Sequence, residues 1–313
     1  MKAVLGLDTS CYTTSCAVVD QGFNLISSSR MLLPVEPGAR GLRQSEAVFA
    51  HVRQLPQVVV EALDGVDAQI DAICVSDRPV DGEDSYMPVF RAGLSLAQSM
   101  AAALRVPCYT TTHQRGHLAA ALIGQPKPPQ RFLALHLSGG TTELLASEGD
   151  RLMAVMGSLD LHAGQLIDRV GVRLGLPFPA GPALEKLALT GRAKGRYGAS
   201  VSREGCHFSG AEAQAMRDAE QGELAPQDIA AEVFDLVART VIRMLTLGRE
   251  ATGLDDAVIF GGVASSALLR QMLERRNTDR RTGMRLCYGR PELSGDNAAG
   301  VAMIGARRHF LTS

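Results

Sequence analysis

The chain writes one structural phrase twice, and that repetition restricts its fold more than any other property. The run L-G-L-D-T-S-C-Y-T-T-S-C-A-V-V-D-Q-G, from Leu5, lies over L-A-L-H-L-S-G-G-T-T-E-L-L-A-S-E-G-D, from Leu133. Each copy reads as an apolar strand, a turn rich in Ser, Thr or Gly, a second strand and a glycine-containing hairpin. In this overlay Asp8 falls on His136 and Ser10 on Ser138. A large-period repeat of this kind predicts two related lobes that face each other, each built on its own strand–turn–strand copy.

The pattern around each copy agrees. In the first half, Ala3–Leu7, Ser15–Val19 and Leu25–Arg30 read as an antiparallel meander. Glu46–Leu63 has helical length and period, with Pro56 as a break or kink. A buried strand is expected over Ile70–Ser76, a helix over Ala92–Leu104 and a short strand over Val106–Tyr109. Thr112 is placed to cap a helix from His113 to about Ile123. Gln125–Gln130 carries three prolines in six residues and reads as a linker. The second half restarts with strands over Phe132–Leu137, Glu143–Ala146 and Leu152–Met156, then helices over Leu161–Leu174 and Pro182–Leu189. Thr190–Gly210 reads as loop. A long helix over Gln227–Ala251 follows, then a strand, helix, strand and a closing helix over Asn297–Phe310. The expected lobes are residues 1–128 and 129–313, the last helix (about 297–310) packing back on the first lobe.

Composition removes some functions. The net charge of -1 supplies no global field for a dedicated nucleic-acid binder, although local arginine patches remain. Aromatic residues make up 4% and Trp is absent, which argues against a broad base-stacking platform. The six cysteines form no C-x-x-C pair and read as reduced thiols of a cytoplasmic protein. The N-terminal run lacks the form of a signal peptide, and no stretch approaches the ~18 apolar residues of a membrane span.

Five short motifs carry chemistry. His113-Gln-Arg-Gly-His117 puts two imidazoles on one face of a helix, a spacing that suits two ligands of one transition metal. It lacks the glutamate of H-E-x-x-H zinc proteases. Ser138-Gly139-Gly140-Thr-Thr142 follows a strand, and its glycines would let backbone amides approach phosphate oxygens. Gly261-Gly262-Val-Ala-Ser-Ser266 runs from a buried strand into a helix start, where amides favour an anion or a sugar-phosphate. Asp296 either caps the final helix or supplies a carboxylate beside the two histidines. Asp168, on a helix ahead of the rigid turn that ends at Gly181, either bonds a ribose hydroxyl or faces solvent beside Arg169.

These pieces occur in one order: H-x-x-x-H, S-G-G-x-T, L-D-x-x-A-G-x-x-x-D, L-G-L-P-x-P-x-G-P, F-S-G, G-G-V and G-D-N. That series, running essentially the whole chain, resembles the tRNA threonylcarbamoyladenosine-synthesis transferases, long misnamed O-sialoglycoprotein endopeptidases. The opening L-G-L-D-T-S-C looks like the start of that family. The resemblance implies an actin-like (ASKHA) α/β fold of two duplicated lobes of mixed sheet flanked by helices, with the ligand cleft between them. It implies one iron or zinc ion on His113, His117 and Asp296. It also implies ATP or an acyl-adenylate held by His136, Leu137, Ser138, Gly139, Gly140, Asp168 and Gly181. The glycine turn adds Gly261 and Gly262 to that set, with Ser266 standing where the family usually has Asn.

The expected reaction is transfer of a threonylcarbamoyl group from its adenylate to N6 of the tRNA adenosine beside the anticodon. An actin-like paralogue and an ATPase are the expected protein partners. The chain departs from the family at several positions, as a divergent paralogue would. Tyr12 and Thr13 replace two acidic residues, Arg78–Pro88 replaces a G-P-G-L turn, Gln165 replaces Glu, and Glu212 replaces Lys. Those departures keep two alternatives open: carbamoyl transfer to a small-molecule or protein acceptor, and a non-catalytic nucleotide-binding paralogue. For tRNA, two arginine-rich stretches are candidate phosphate contacts: Arg192, Lys194, Arg196 and Arg203, and the run from Arg270 through Arg275, Arg276, Arg280 and Arg281 to Arg285.

Overall fold

A computed structural model describes residues 1–10, 12–34, 42–82, 84–149, 151–295 and 297–311. The expected third metal ligand, Asp296, lies outside the described residues, as does Cys11. The chain divides into two compact units, Met1–Gly124 with Gly295–Ser313, and Gln125–Ser294.

The first unit holds β1 (Lys2–Thr9), β2 (Thr13–Asp20), β3 (Leu25–Leu32), α1 (Gln44–Leu63), β4 (Gln69–Arg78), α2 (Val89–Leu104), β5 (Cys108–Thr112) and α3 (His113–Leu122). Its sheet runs β3-β2-β1-β4-β5. The meander β1-β2-β3 is antiparallel, whereas β4 and β5 continue the sheet in parallel with β1. The apolar run of β1 is buried on both faces because it is central; β3, at the edge, alternates between partly buried and exposed. Pro56 does not break α1. It stands on the exposed side, where the forfeited backbone bond is left to water, and its fixed φ suits the helix. The strand expected over Val106–Tyr109 begins later, at Cys108, because Arg105 turns left-handed (φ 57°) and Val106 N–H donates back to the Ala101 carbonyl.

The second unit contains β6 (Arg131–Leu137), β7 (Thr142–Glu148), β8 (Arg151–Ser158), α4 (Ala163–Arg173), α5 (Gly181–Ala188), β9 (Ser200–Val201), β10 (Gly205–His207) and α6 (Ser209–Gln221). After these come α7 (Pro226–Thr252), β11 (Asp256–Phe260), α8 (Ala267–Asp279) and β12 (Arg285–Tyr288). Its sheet runs β12-β11-β6-β7-β8-β10-β9. Again the copy's first strand, β6, pairs antiparallel with β7 and parallel with β11. The order β8-β7-β6-β11-β12 thus repeats β3-β2-β1-β4-β5, so the two units share one topology. The core gathers around α7, buried almost all round, which explains its long apolar run.

The closing helix α9 (Ala299–Leu311) belongs to the first unit, where it packs on β1, β4 and α3. The approach to α3 is close: a Cβ on Gly300 would fall 1.8 Å from the Gly116 carbonyl oxygen, so only glycine fits. Among the described residues no helix is long and apolar enough to cross a membrane. The five described cysteines are unbridged, and burial pushes the thiols of Cys16 and Cys74 up to about 12.

Candidate functional site

In the first unit, the end of β5 turns straight into α3. Thr112 Oγ1 accepts from Arg115 N–H at 3.3 Å, which starts the helix at His113 and sets His113 and His117 one turn apart. Their Nε2 atoms stand 3.0 Å apart. Behind them, both carboxylate oxygens of Asp8, at the end of β1, lie 3.0 Å from His113 Nδ1. Ser76 of β4 donates its hydroxyl to Asp8 Oδ1. Asp8 is fully buried and His117 nearly so.

This donor set fits a transition metal. Two nitrogens each ~2.1 Å from a shared ion stand roughly 3.0 Å apart at the right angle of an octahedral site and about 3.4 Å apart at a tetrahedral one. A carboxylate on the far ring nitrogen is the usual backing of a ligating histidine. Among the described residues no group of three ligating side chains converges. The two imidazoles are the donors that can be placed, and a third would come from outside the described residues. Nothing in the sequence ties Asp8 to His113, because 105 positions separate them.

In the second unit, β6 ends at Leu137 and the chain turns over Ser138–Thr141, closed by Ser138 N–H to the Thr141 carbonyl at 2.8 Å. Gly140 N–H donates to Ser138 Oγ at 3.3 Å. The start of α4 presses against this turn. Gly164 N–H donates to the Ser138 carbonyl at 3.2 Å, and a Cβ on Gly164 would lie 2.6 Å from that oxygen. Ala163 N–H donates to Thr142 Oγ1 at 2.8 Å. Gly261 adopts φ 101° and passes so close to the Leu137 carbonyl that a Cβ would lie 2.4 Å from it.

A cavity of about 460 Å³ opens beside these turns, of a size that suits a nucleoside. Gly139, Asp168, Gly181, Gly262 and Ser266 line it, as do Glu185 and Phe234, which the sequence did not single out. His136, Leu137, Ser138, Gly140 and Gly261 are not in its wall. The ring of His136 stacks on Phe260 with centroids 5.0 Å apart, and Leu137 is fully buried in the core. Asp168 Oδ1 accepts from Ala180 N–H at 2.8 Å, tying α4 to the turn before α5. Burial pushes its carboxyl above the usual range, and the Ala180 and Gly181 amides pull against that.

Two of the amides that open α8 already have side-chain acceptors. Ser266 Oγ takes Leu269 N–H at 3.0 Å, and Glu185 Oε1 takes Leu268 N–H at 2.7 Å. Glu185 also sets a carboxylate where a phosphate was expected. The turn at Gly139–Gly140, by contrast, is exposed.

The departures from the family pattern find local partners. Gln165 Oε1 accepts from His162 N–H at 3.0 Å, completing the start of α4. Glu212 pairs with Arg169 at 3.1 Å, so the reversed charge meets a cation. Thr13 is buried, with its N–H on Ser10 Oγ, and Tyr12 is exposed.

The arginine patches are smaller than the sequence implies. Arg196 is held by Asp218 at 2.6 and 2.8 Å and by Glu223 at 2.7 Å. The buried Glu232 accepts the backbone N–H groups of Lys194 and Arg196, and Asp228 accepts that of Arg192, leaving the Arg192 and Lys194 side chains exposed. In the second stretch, Arg270 bonds the Ala264 and Gly289 carbonyls, Arg276 pairs with Asp235, and Arg285 pairs with Asp256.

The comparisons agree on a family and a fold. A family model described as tRNA N6-adenosine threonylcarbamoyltransferase (TsaD) matches residues 36–303. A tRNA N6-adenosine threonylcarbamoyltransferase of Aromatoleum aromaticum is 32% identical over 321 residues, spanning 97% of this chain and 91% of that protein. Solved structures at lower identity share the fold. Component A of the (R)-2-hydroxyglutaryl-CoA dehydratase of Acidaminococcus fermentans has TM-score 0.58 at 16% identity, over 98% of this chain and 99% of that one. A ROK family glucokinase of Streptomyces griseus, in complex with glucose and AMPPNP, has TM-score 0.58 at 14% identity, over 97% and 99%. HypF of T. kodakarensis has TM-score 0.64 at 14% identity, over 97% of this chain and 48% of its own. Their likeness supports the two-sheet, actin-like α/β fold that the sequence led one to expect.

Proposed function

Because the chain belongs to the tRNA N6-adenosine threonylcarbamoyltransferase family, and is a transferase, we propose that it moves a threonylcarbamoyl group from an adenylate to N6 of the tRNA adenosine beside the anticodon. In that transfer the N6 nitrogen forms a bond to the carbamoyl carbon, the bond from that carbon to the phosphate oxygen breaks, AMP leaves with that oxygen and the bonding electron pair, and one N6 proton is released to solvent. The observation that carries the finer reading is the 3.0 Å approach of the His113 and His117 nitrogens with Asp8 behind them. His113, His117 and Asp296 would hold one iron or zinc ion, which when bound would polarise the carbamoyl oxygen. Asp168 and Glu185 would accept the ribose hydroxyls, and the turn at Gly139–Gly140 would meet the phosphate. The changed residues Gln165 and Glu212 do not favour a different acceptor, since their own neighbours satisfy them.

Binding of tRNA tests this reading. With contacts mainly to phosphates, affinity falls steeply with salt. Substituting Arg192 and Lys194 with alanine is expected to weaken binding and to reduce the salt slope by about 2, one for each lost phosphate contact. Arg196 is left in place, because its substitution would free Asp218 and Glu223 and disturb the loop. Fluorescence anisotropy against a tRNA transcript measures both quantities. A wild type that binds no tRNA at any salt concentration would transfer the reading to a small-molecule or protein acceptor.

A further inference from the structure

We propose that Asp8 is the positioning residue for the metal-binding imidazole of His113; the inference rests on the metal reading above. A fully buried carboxylate is costly unless hydrogen bonds satisfy it, and Asp8 faces two donors, the Ser76 hydroxyl and His113 Nδ1. The donors come from different elements. Ser76 lies on β4, the parallel neighbour of β1, and His113 opens α3. Both oxygens of Asp8 stand at the same 3.0 Å from Nδ1, so the ring nitrogen faces the carboxylate symmetrically. With the Nδ1 proton committed there, Nε2 carries the lone pair, and Nε2 is the atom turned toward His117. The ring is further braced by Phe90, tilted against it at 5.8 Å between centroids.

The duplication supplies an internal contrast. The overlaid position in the second unit is His136, which stacks on Phe260. The unit whose first strand ends in a carboxylate is the one that carries the H-x-x-x-H pair. Asp8 thus fixes the tautomer and aim of His113 without itself touching the substrate.

Metal titration of the full chain tests the proposal, with Zn(II) and Co(II) as probes. Asp8→Asn keeps the side chain's shape but removes its charge; its affinity for either ion should fall about 10–100-fold, with an altered Co(II) absorption spectrum. Affinity for an ATP analogue should not change, since the candidate nucleotide cavity is built wholly by the other unit. Asp8→Glu, which restores the charge, should recover part of the loss. Wild-type affinity and spectrum in Asp8→Asn would overturn the proposal and leave Asp8 a packing group. If Asp8→Asn does not fold, Ser76→Ala reads the same link through its hydroxyl: a several-fold loss supports it and wild-type affinity overturns it. A wild type that binds neither ion would instead sink the metal reading itself.

Discussion

Replacing His113 and His117 together with alanine will strip the protein of the iron or zinc, about one ion per chain, that the wild type is expected to carry. Two of the three expected protein ligands disappear, and with them the geometry that the start of α3 imposes. Occupancy measured by elemental analysis should fall at least about tenfold. The fold should survive. The second half of α3, Leu118–Leu122, is alanine and leucine, the helix packs on α9, and alanine at positions 113 and 117 favours a helix. His113 also stops donating to Asp8, so the double variant should lose some stability along with the metal, because a buried carboxylate is left with fewer donors. Metal content unchanged in the double variant would place the ion elsewhere and remove both histidines from the site.

The second large effect is expected at Asp168. Its Oδ1 already holds the Ala180 amide, and the residue lies in the wall of the cavity that would take the adenylate. Alanine there removes the clamp on the turn that presents Gly181 and, on the proposed reading, the acceptor for a ribose hydroxyl. The expected cost is about 1–3 kcal/mol of adenylate affinity, roughly a five- to 150-fold rise in Kd. Asp168→Asn separates the two roles. The amide oxygen can still accept from Ala180 N–H, while the charged acceptor for the ribose is gone. If calorimetry with an ATP analogue finds Asp168→Asn tight and Asp168→Ala weak, the clamp dominates. Wild-type affinity in both variants would return Asp168 to a purely structural place.

Much of the fold was legible because the chain repeats itself. The strand pairs β1–β2 and β6–β7 follow from apolar runs broken by Ser, Thr or Gly, and the topology copies between the units. What stayed hidden had physical reasons. Helix α6 shows no apolar stripe, because the residues it buries, Ala211, Ala215 and Asp218, are small or polar. The hairpin β9–β10 is too short for a period to show. In the candidate site, H-x-x-x-H was readable from spacing alone, since a helix fixes i and i+4. Asp8 and Ser76 were not, because their contact with His113 is made across the sheet, 105 positions apart for Asp8. Glu185 was hidden likewise: its bond to Leu268 N–H spans 83 positions, and it sets a carboxylate at the start of α8.

The most direct test is to incubate the protein with tRNA, threonine, bicarbonate, ATP and an adenylate-forming enzyme, then digest the tRNA and weigh its nucleosides. N6-threonylcarbamoyladenosine beside the anticodon, absent when the protein is omitted and strongly reduced with the His113→Ala, His117→Ala variant, is the predicted result. An unmodified adenosine, from protein shown in the same preparation to bind both the nucleotide and the metal, would contradict it.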